Sequence, residues 1–284
     1  MIEIKDLRKE YPGFTLQCSL AVPAGTITGL IGQNGAGKST LFKSLLRLIR
    51  INSGKVTILG KDLSEISEND MRMIGSVMAE SGFSGYLTLR SIRRIMKSFY
   101  PAFREDWFTA QYRKFGLPDD RQIREFSTGM KAKLKVLCAL SYGAKLLILD
   151  EPTSGLDVAA REDVLDLLRA YMKEDEERSI LISSHISKDL ETLCDDFYMI
   201  HEGQIILHEE TDRLLSDYAM LKVTPEVYEK LDKQYILRTV QESYGYSCLT
   251  NQREYYQENY PEIVVEKIGI DEVVLHVIRG GKAQ

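Results

Sequence analysis

The clearest chemistry in this 284-residue chain lies in nine consecutive residues, GQNGAGKST at 32–40. The spacing Gly-x-x-x-x-Gly-Lys-Ser lets a glycine-rich turn aim successive backbone N–H groups at one anion. Gly32, Gln33, Asn34, Gly35, Ala36, Gly37 and Thr40 form the cradle. Lys38 reaches the outer phosphates of a nucleotide, and the Ser39 hydroxyl faces magnesium. A second group stands in KLLILDE at 145–151. Asp150 ends an apolar run and can hold the metal directly or through water, while Glu151 can direct an attacking water. Neighbouring residues of an extended segment point in different directions, so the two carboxylates can have separate tasks. Two acids after a strand can equally cap the next helix. His185, just after ILISS, can donate to a terminal phosphate, or serve as an ordinary loop donor. Together with residues 32–40, the phosphoryl-transfer reading is preferred for all three. Tyr11, beside Pro12 and Gly13, offers a flat face to adenine or packs on the surface.

These groups need elements to position them. ITGLI at 27–31 is predicted as a buried strand and LFKSLLRLI at 41–49 as a helix, which places the phosphates at a helix N-terminus. IEIKDL and TLQCSLAV alternate before the Pro23–Gly25 turn and predict an antiparallel hairpin. KVTIL at 55–59 predicts a strand, and MIGSVMAE at 73–80 brings a strand edge towards Glu80. From about Leu89 to Tyr142 the pattern becomes helical, interrupted at Gly116–Pro118, with Phe126–Gly129 introducing the third helix. LLIL at 146–149 is a buried parallel strand, VAAREDVLDLLRAYM an amphipathic helix and SILIS the next strand. This alternation predicts a mostly parallel sheet with both faces covered. Beyond about residue 213, YILRTV, EIVVEKI and EVVLHVI show short apolar alternation between Tyr-rich polar segments, consistent with a small α/β appendage.

At 44% hydrophobic, the chain can bury a sizeable core, and its formal charge of −5 gives no general attraction to nucleic acid. Cys18, Cys138, Cys194 and Cys248 are too scattered for close metal-ligand spacing and read as buried thiols. MIEIKDL lacks the apolar segment of a signal peptide. No stretch approaches the roughly 20 apolar residues needed to cross a bilayer. A cytoplasmic location is expected, with association to a membrane partner left open.

With these motifs in order, the sequence resembles the nucleotide-binding domain of ATP-binding cassette (ABC) transporters. The resemblance rests on GQNGAGKST, a sensor position at Glu80, FSTGM at 126–130, LLILDEPTSGLD at 146–157 and His185, and it covers roughly residues 1–215. The ending GIDEVVLHVIRG also resembles the ATPase subunits of bacterial ABC-2-type exporters. The resemblance implies an α/β fold of the P-loop NTPase kind, with an ABC-type mixed nucleotide-binding core, an antiparallel β subdomain and an inserted helical subdomain at about 82–142. Residues 216–284 would form a small α/β C-terminal extension. ATP and Mg2+ are the implied ligands, with Lys38, Glu151 and His185 catalytic and Ser39, Asp150 and Glu80 near the metal. Phe126, Ser127, Thr128, Gly129 and Met130 would close over nucleotide held by a second nucleotide-binding subunit, in a homo- or heterodimer. Ser154, Gly155, Leu156 and Asp157 would communicate across that interface. A separate transmembrane permease is the implied second partner, placing the chain peripherally at the inner face of the cell membrane, with no direct nucleic-acid contact.

Two departures stand out. The family signature is Leu-Ser-Gly-Gly-Gln, whereas this chain has Phe126, Thr128 and Met130 at its first, third and fifth places. Thr128 adds a side chain where backbone approach is close. At the sensor position glutamine is usual, and an ionised Glu80 cannot donate as an amide does. Phe83, Tyr86 and Leu87 are candidates either for the permease contact or for the core of the helical segment. The leading expectation is therefore an ATPase subunit powering export. The alternatives are a soluble ABC-type ATPase of translation, chromosome mechanics or repair, and a nucleotide-dependent interaction module. A single nucleotide-binding domain, without a long coiled-coil insertion, weighs against the first of these. Intact Asp150, Glu151 and His185 weigh against the second.

Overall fold

A computed structural model describes residues 1–280, so the last four residues of the expected 216–284 extension lie outside the described residues. The hairpin β1 (Ile2–Tyr11) and β2 (Phe14–Val22) leads into β3 (Ile27–Ile31), whose five residues are all buried. Then follow α1 (Lys38–Leu45), β4 (Ser53–Ile58), β5 (Lys61–Asp62), α2 (Glu68–Met71) and β6 (Ile74–Val77). The helical stretch comprises α3 (Leu89–Phe99), α4 (Glu105–Lys114) and α5 (Thr128–Leu140). Strands and helices next alternate as β7 (Leu146–Asp150), α6 (Val158–Lys173), β8 (Ser179–Ser183), α7 (Ser187–Leu193), β9 (Asp196–His201) and β10 (Gln204–Glu210). The chain ends with α8 (Thr211–Asp217), β11 (Ala219–Val223), α9 (Pro225–Lys230), β12 (Ile236–Glu242), β13 (Gly245–Thr250), α10 (Arg253–Asn259), β14 (Val264–Lys267) and α11 (Ile270–Arg279).

The central six-stranded sheet has the order β10-β9-β3-β8-β7-β6 and is parallel except for its β10 edge. Strands buried on both faces call for near-continuous apolar runs, which ITGLI, LLIL and SILIS supply; the buried exceptions Thr28, Ser179 and Ser183 each hydrogen-bond through their hydroxyls. One apolar cluster covers each face. The first joins β3, β7 and β8 to the helical segment through Leu89, Phe108, Leu134 and Leu137. The second joins the sheet to α1 and the N-terminal hairpin through Leu41, Phe42, Leu7 and Leu16. The hairpin belongs to a separate sheet, β2-β1-β4-β5.

Helix α1 is shorter than the apolar spacing of 41–49 predicts: it stops at Leu45, and Arg47 takes a left-handed backbone with φ of 57°. The C-terminal sheet has the order β12-β13-β11-β14. One expectation is corrected here, because EVVLHVI is helix, not alternating strand. Ile270, Val273, Val274, Val277 and Ile278 follow helical spacing and all join the first apolar cluster. Glu272 accepts from the Gly269 N–H at 2.9 Å, capping the helix start.

Among the described residues no helix is long and apolar enough to cross a membrane. All four cysteines are buried and free, and burial alone pushes the Cys18 thiol up to about 12. Among the described residues no group of three or more His, Cys, Asp or Glu forms a metal cluster.

Candidate functional site

Parallel strands place their C-terminal ends on one side of the sheet, where open α/β sheets gather ligand groups. Here β3 delivers the loop 32–40, β7 delivers Asp150 and β8 delivers Ser183 and His185. Register aligns Asp150 with Ser183 across β7 and β8. Asp150, only 1% exposed, accepts from both neighbours: Ser39 Oγ lies 2.8 Å from Oδ2 and Ser183 Oγ lies 2.7 Å from Oδ1. A buried carboxylate needs such donors or a cation to offset the loss of water.

Gly32 must be glycine because a Cβ there would stand 2.4 Å from the Ile200 carbonyl oxygen. Ala36 is buried behind the loop. Gln33, Asn34, Gly35, Gly37, Lys38, Ser39 and Thr40 line a pocket of about 300 Å³ that also takes in Asp150 and Glu151. Lys38 is nearly buried. Its ammonium donates to the Gly32 carbonyl at 2.6 Å, and to that of Gln33 at 3.4 Å, and lies 3.9 Å from Glu151 Oε1.

Glu151 has a left-handed backbone, φ 52°, unusual for a residue with a side chain. Its N–H is held by Ser183 through both the carbonyl (3.2 Å) and the hydroxyl (3.1 Å). Its Oε2 meets His185 Nδ1 at 2.5 Å and accepts from the His185 N–H at 3.1 Å. The strained backbone and these contacts fix the carboxylate between Lys38 and His185.

Two sequence expectations find different partners. The Glu80 carboxylate is turned outward, 2.8 Å from the Lys43 ammonium, which holds it below the usual carboxylate range. It does not line the phosphate-loop pocket; the residue of this segment that does is Ala79. The reason is local: β6 ends at Val77, and the chain bends before Glu80, so strand alternation no longer sets its direction. Tyr11 is 42% exposed beneath the Lys9 ammonium, 5.0 Å from the ring centre. Phe14, directly across the hairpin turn, lines the pocket instead. An aromatic on each side of Pro12-Gly13 was the available signal.

FSTGM begins α5. Phe126 is buried, Met130 is partly buried, and Ser127 Oγ accepts from the Met130 N–H at 3.2 Å as an N-cap. None of the five residues lines the phosphate-loop pocket of its own chain. They touch the Ser154–Asp157 segment instead. A Cβ on Gly155 would meet Thr128 Cγ2 at 3.0 Å, and one on Gly129 would meet Leu156 Cδ2 at 3.3 Å. Asp157 caps α6 by accepting from Ala160 at 2.8 Å. Thr128 and Ser154 also line a larger cleft of about 520 Å³ with Asp150 and Glu151.

Sequence reasoning missed Asp189, which is buried on α7. It accepts from Thr153 Oγ1 at 2.7 Å and lies 3.7 Å from Arg161, tying the segment after Glu151 to the helix after His185. Burial raises its carboxyl, partly opposed by those two groups. Of the coupling candidates, Phe83 and Leu87 pack against the helical core, while Tyr86 is 74% exposed under Arg124.

A phosphate-loop pocket at the C-terminal ends of parallel strands, with a hydroxyl–carboxylate pair and a fixed glutamate, defines a P-loop nucleotide site. The family model described as ABC transporter matches residues 16–154. The lantibiotic transport ATP-binding protein SrtF of Streptococcus pyogenes is 35% identical over 216 residues, which cover 75% of this chain and 92% of that protein. The bacitracin transport ATP-binding protein BcrA of Bacillus licheniformis is 34% identical over 218 residues, 75% and 71% of the two chains. The chain belongs to the ABC transporter family, as an ATP-binding subunit. A solved ATP-binding subunit of an ABC transporter superposes with a TM-score of 0.68 at 29% identity, covering 75% of this chain and 91% of that one. A dimeric ATP-binding cassette with ADP and Pi shares the fold at a TM-score of 0.65 and 18% identity, covering 74% and 99%.

Proposed function

We propose that this chain binds and hydrolyses Mg-ATP and powers export through a separate transmembrane permease at the inner face of the membrane. The carrying observation is the joint placement of Ser39, Asp150 and Glu151 around one phosphate-loop pocket, with His185 held against Glu151. The Ser39 hydroxyl and Asp150 carboxylate are hard oxygen donors already 2.8 Å apart, a set that suits magnesium. Bound there, the ion would neutralise charge on the phosphate oxygens.

The chain's own groups account for the remainder. Amides of residues 33–39 and the N-terminus of α1 bind the phosphates. Lys38 leaves the Gly32 carbonyl to reach the terminal phosphate, which also removes the cation nearest Glu151. Glu151, held by Ser183 and His185, accepts the proton of the attacking water or orients it. His185 stands beside the same carboxylate, able to fix its direction and to donate to the transferring group. Ser127 and Gly129, remote from their own chain's pocket, would serve the pocket of a second nucleotide-binding subunit. The transport names of the relatives favour export over the soluble alternatives, and the intact catalytic set favours turnover over a nucleotide-dependent interaction module.

Glu151→Gln and Lys38→Ala test this assignment. With ATP and magnesium, Glu151→Gln should retain nucleotide, lose at least about 100-fold in turnover and accumulate as a closed dimer. Lys38→Ala should lose productive nucleotide binding. Wild-type turnover in Glu151→Gln would refute the water role. A specific activity unchanged on dilution to a verified monomer would refute the shared site.

A further inference from the structure

The cleft beside Asp150 and Glu151 contains a lysine outside the catalytic set. Lys135 lies on α5, five residues beyond the FSTGM segment, and lines the cleft shared by Ala79, Asp150 and Glu151. Its ammonium donates to the carbonyls of Met78 and Ala79, each at 3.4 Å. No carboxylate pairs with it among the described residues. Partial burial lowers its affinity for a proton.

The location of those two carbonyls gives the contact meaning. Met78 and Ala79 follow β6 directly, and β6 runs beside β7 with Val77 opposite Leu149. They therefore sit at the strand end next to Asp150 and Glu151. Helix α5 with the turn that follows it is tied at two points to β6 and the residues just beyond that strand. At the far end, two residues past α5, the Tyr142 hydroxyl donates to the Ile74 carbonyl at 3.1 Å, a neutral bond inside the core. At the near end the link is Lys135, charged, longer and facing the cleft. A neutral buried bond is suited to holding fixed, whereas a cation with long carbonyl contacts can respond to a change of charge in the cleft. Ala79 at the pocket edge has no side-chain donor, and Glu80 is occupied by Lys43, so neither can make this link.

Resting on the proposed ATPase reading, we propose that Lys135 is a positioning residue that couples α5, and with it the FSTGM segment, to the strand end beside Asp150 and Glu151. Nucleotide in the pocket tightens the Lys135 contact, so that movement of the helical segment and alignment of the carboxylates occur together.

Amide hydrogen exchange of the full-length chain with and without Mg-ATP tests this, together with turnover. In the wild type, ATP should slow exchange at residues 32–40 and also at residues 78–80. In Lys135→Met the protection at 32–40 should persist, protection at 78–80 should fall at least fivefold, and kcat should drop about tenfold with KM for ATP within twofold. Lys135→Arg should recover most of kcat, and an unchanged melting temperature of Lys135→Met would separate coupling from folding. Retention of protection at 78–80 in Lys135→Met would overturn the proposal, as would loss of ATP protection at 32–40 in that variant. Absence of protection at 32–40 in the wild type would instead defeat the ATPase reading itself.

Discussion

Glu151 shows what a single residue's backbone can contribute to a site. Its left-handed φ turns the carboxylate out of the strand direction, and Ser183 and His185 hold it there. The sequence revealed the acid and its neighbour through their place after an apolar run, because strand ends are predictable from composition. It did not reveal side-chain direction beyond a strand end, which depends on one or two torsions after the last ladder bond. This is why the pattern points Glu80 towards the metal while its carboxylate meets Lys43, and why it favours Tyr11 where Phe14 lines the pocket. Glu80→Gln should accordingly alter ATP affinity and turnover less than twofold, since an exposed ion pair contributes little and is screened by salt. A tenfold loss of turnover in steady-state assays would restore a role for Glu80 at the metal.

At the level of elements, the buried strands were legible because fully covered parallel strands demand near-continuous apolar runs. Helix α11 was not, because VVLHVI satisfies both a period of two and helical spacing over so short a window; burial of Ile270 and Val273 decides it. The small helix α2 depends on charge more than on apolar spacing. Asp70 forms a capping box with Ser67 and receives the Lys61 ammonium from β5 at 2.7 Å. The Lys61 bond first, then the Ser67 donors, lower its pKa from the ordinary 3.8 to about 2. The folded value lies below the unfolded one, so this contribution is present above about pH 4 and is lost as pH falls through about 2. Melting temperatures of wild type and Asp70→Asn should therefore differ by a constant amount above pH 5 and converge between pH 4 and 2. A constant gap throughout would show that Asp70 acts through shape rather than charge.

Across the whole molecule, the C-terminal sheet is joined to the nucleotide-binding part by core packing. Leu190 and Leu193 of α7 and Leu214 of α8 belong to the same buried cluster as Met220, Leu249, Ile270 and Val273. Glu191 of α7 accepts from the Ile270 N–H at 2.9 Å, so the helix following His185 also anchors the start of α11. Two units linked only by a tether would unfold separately, whereas a shared core couples their stabilities. Deleting the chain after residue 215 would remove Met220, Leu249, Ile270 and Val273 from the cluster that buries these three leucines. Each buried aliphatic side chain is worth roughly 1.5–3 kcal/mol, and about 1 kcal/mol shifts the melting temperature by roughly 2–4 °C in a unit of this size. The truncated chain should melt at least about 5 °C lower, in calorimetry or a dye-based melt, while the full chain unfolds in one transition. It should also lose turnover before it loses ATP binding, since α7 carries Asp189 and follows His185, whereas α1, the helix behind the phosphate loop, packs on the opposite face of the sheet. An unchanged melting temperature, or two well-separated transitions in the full chain, would mean that the extension rides on the cassette without supporting it.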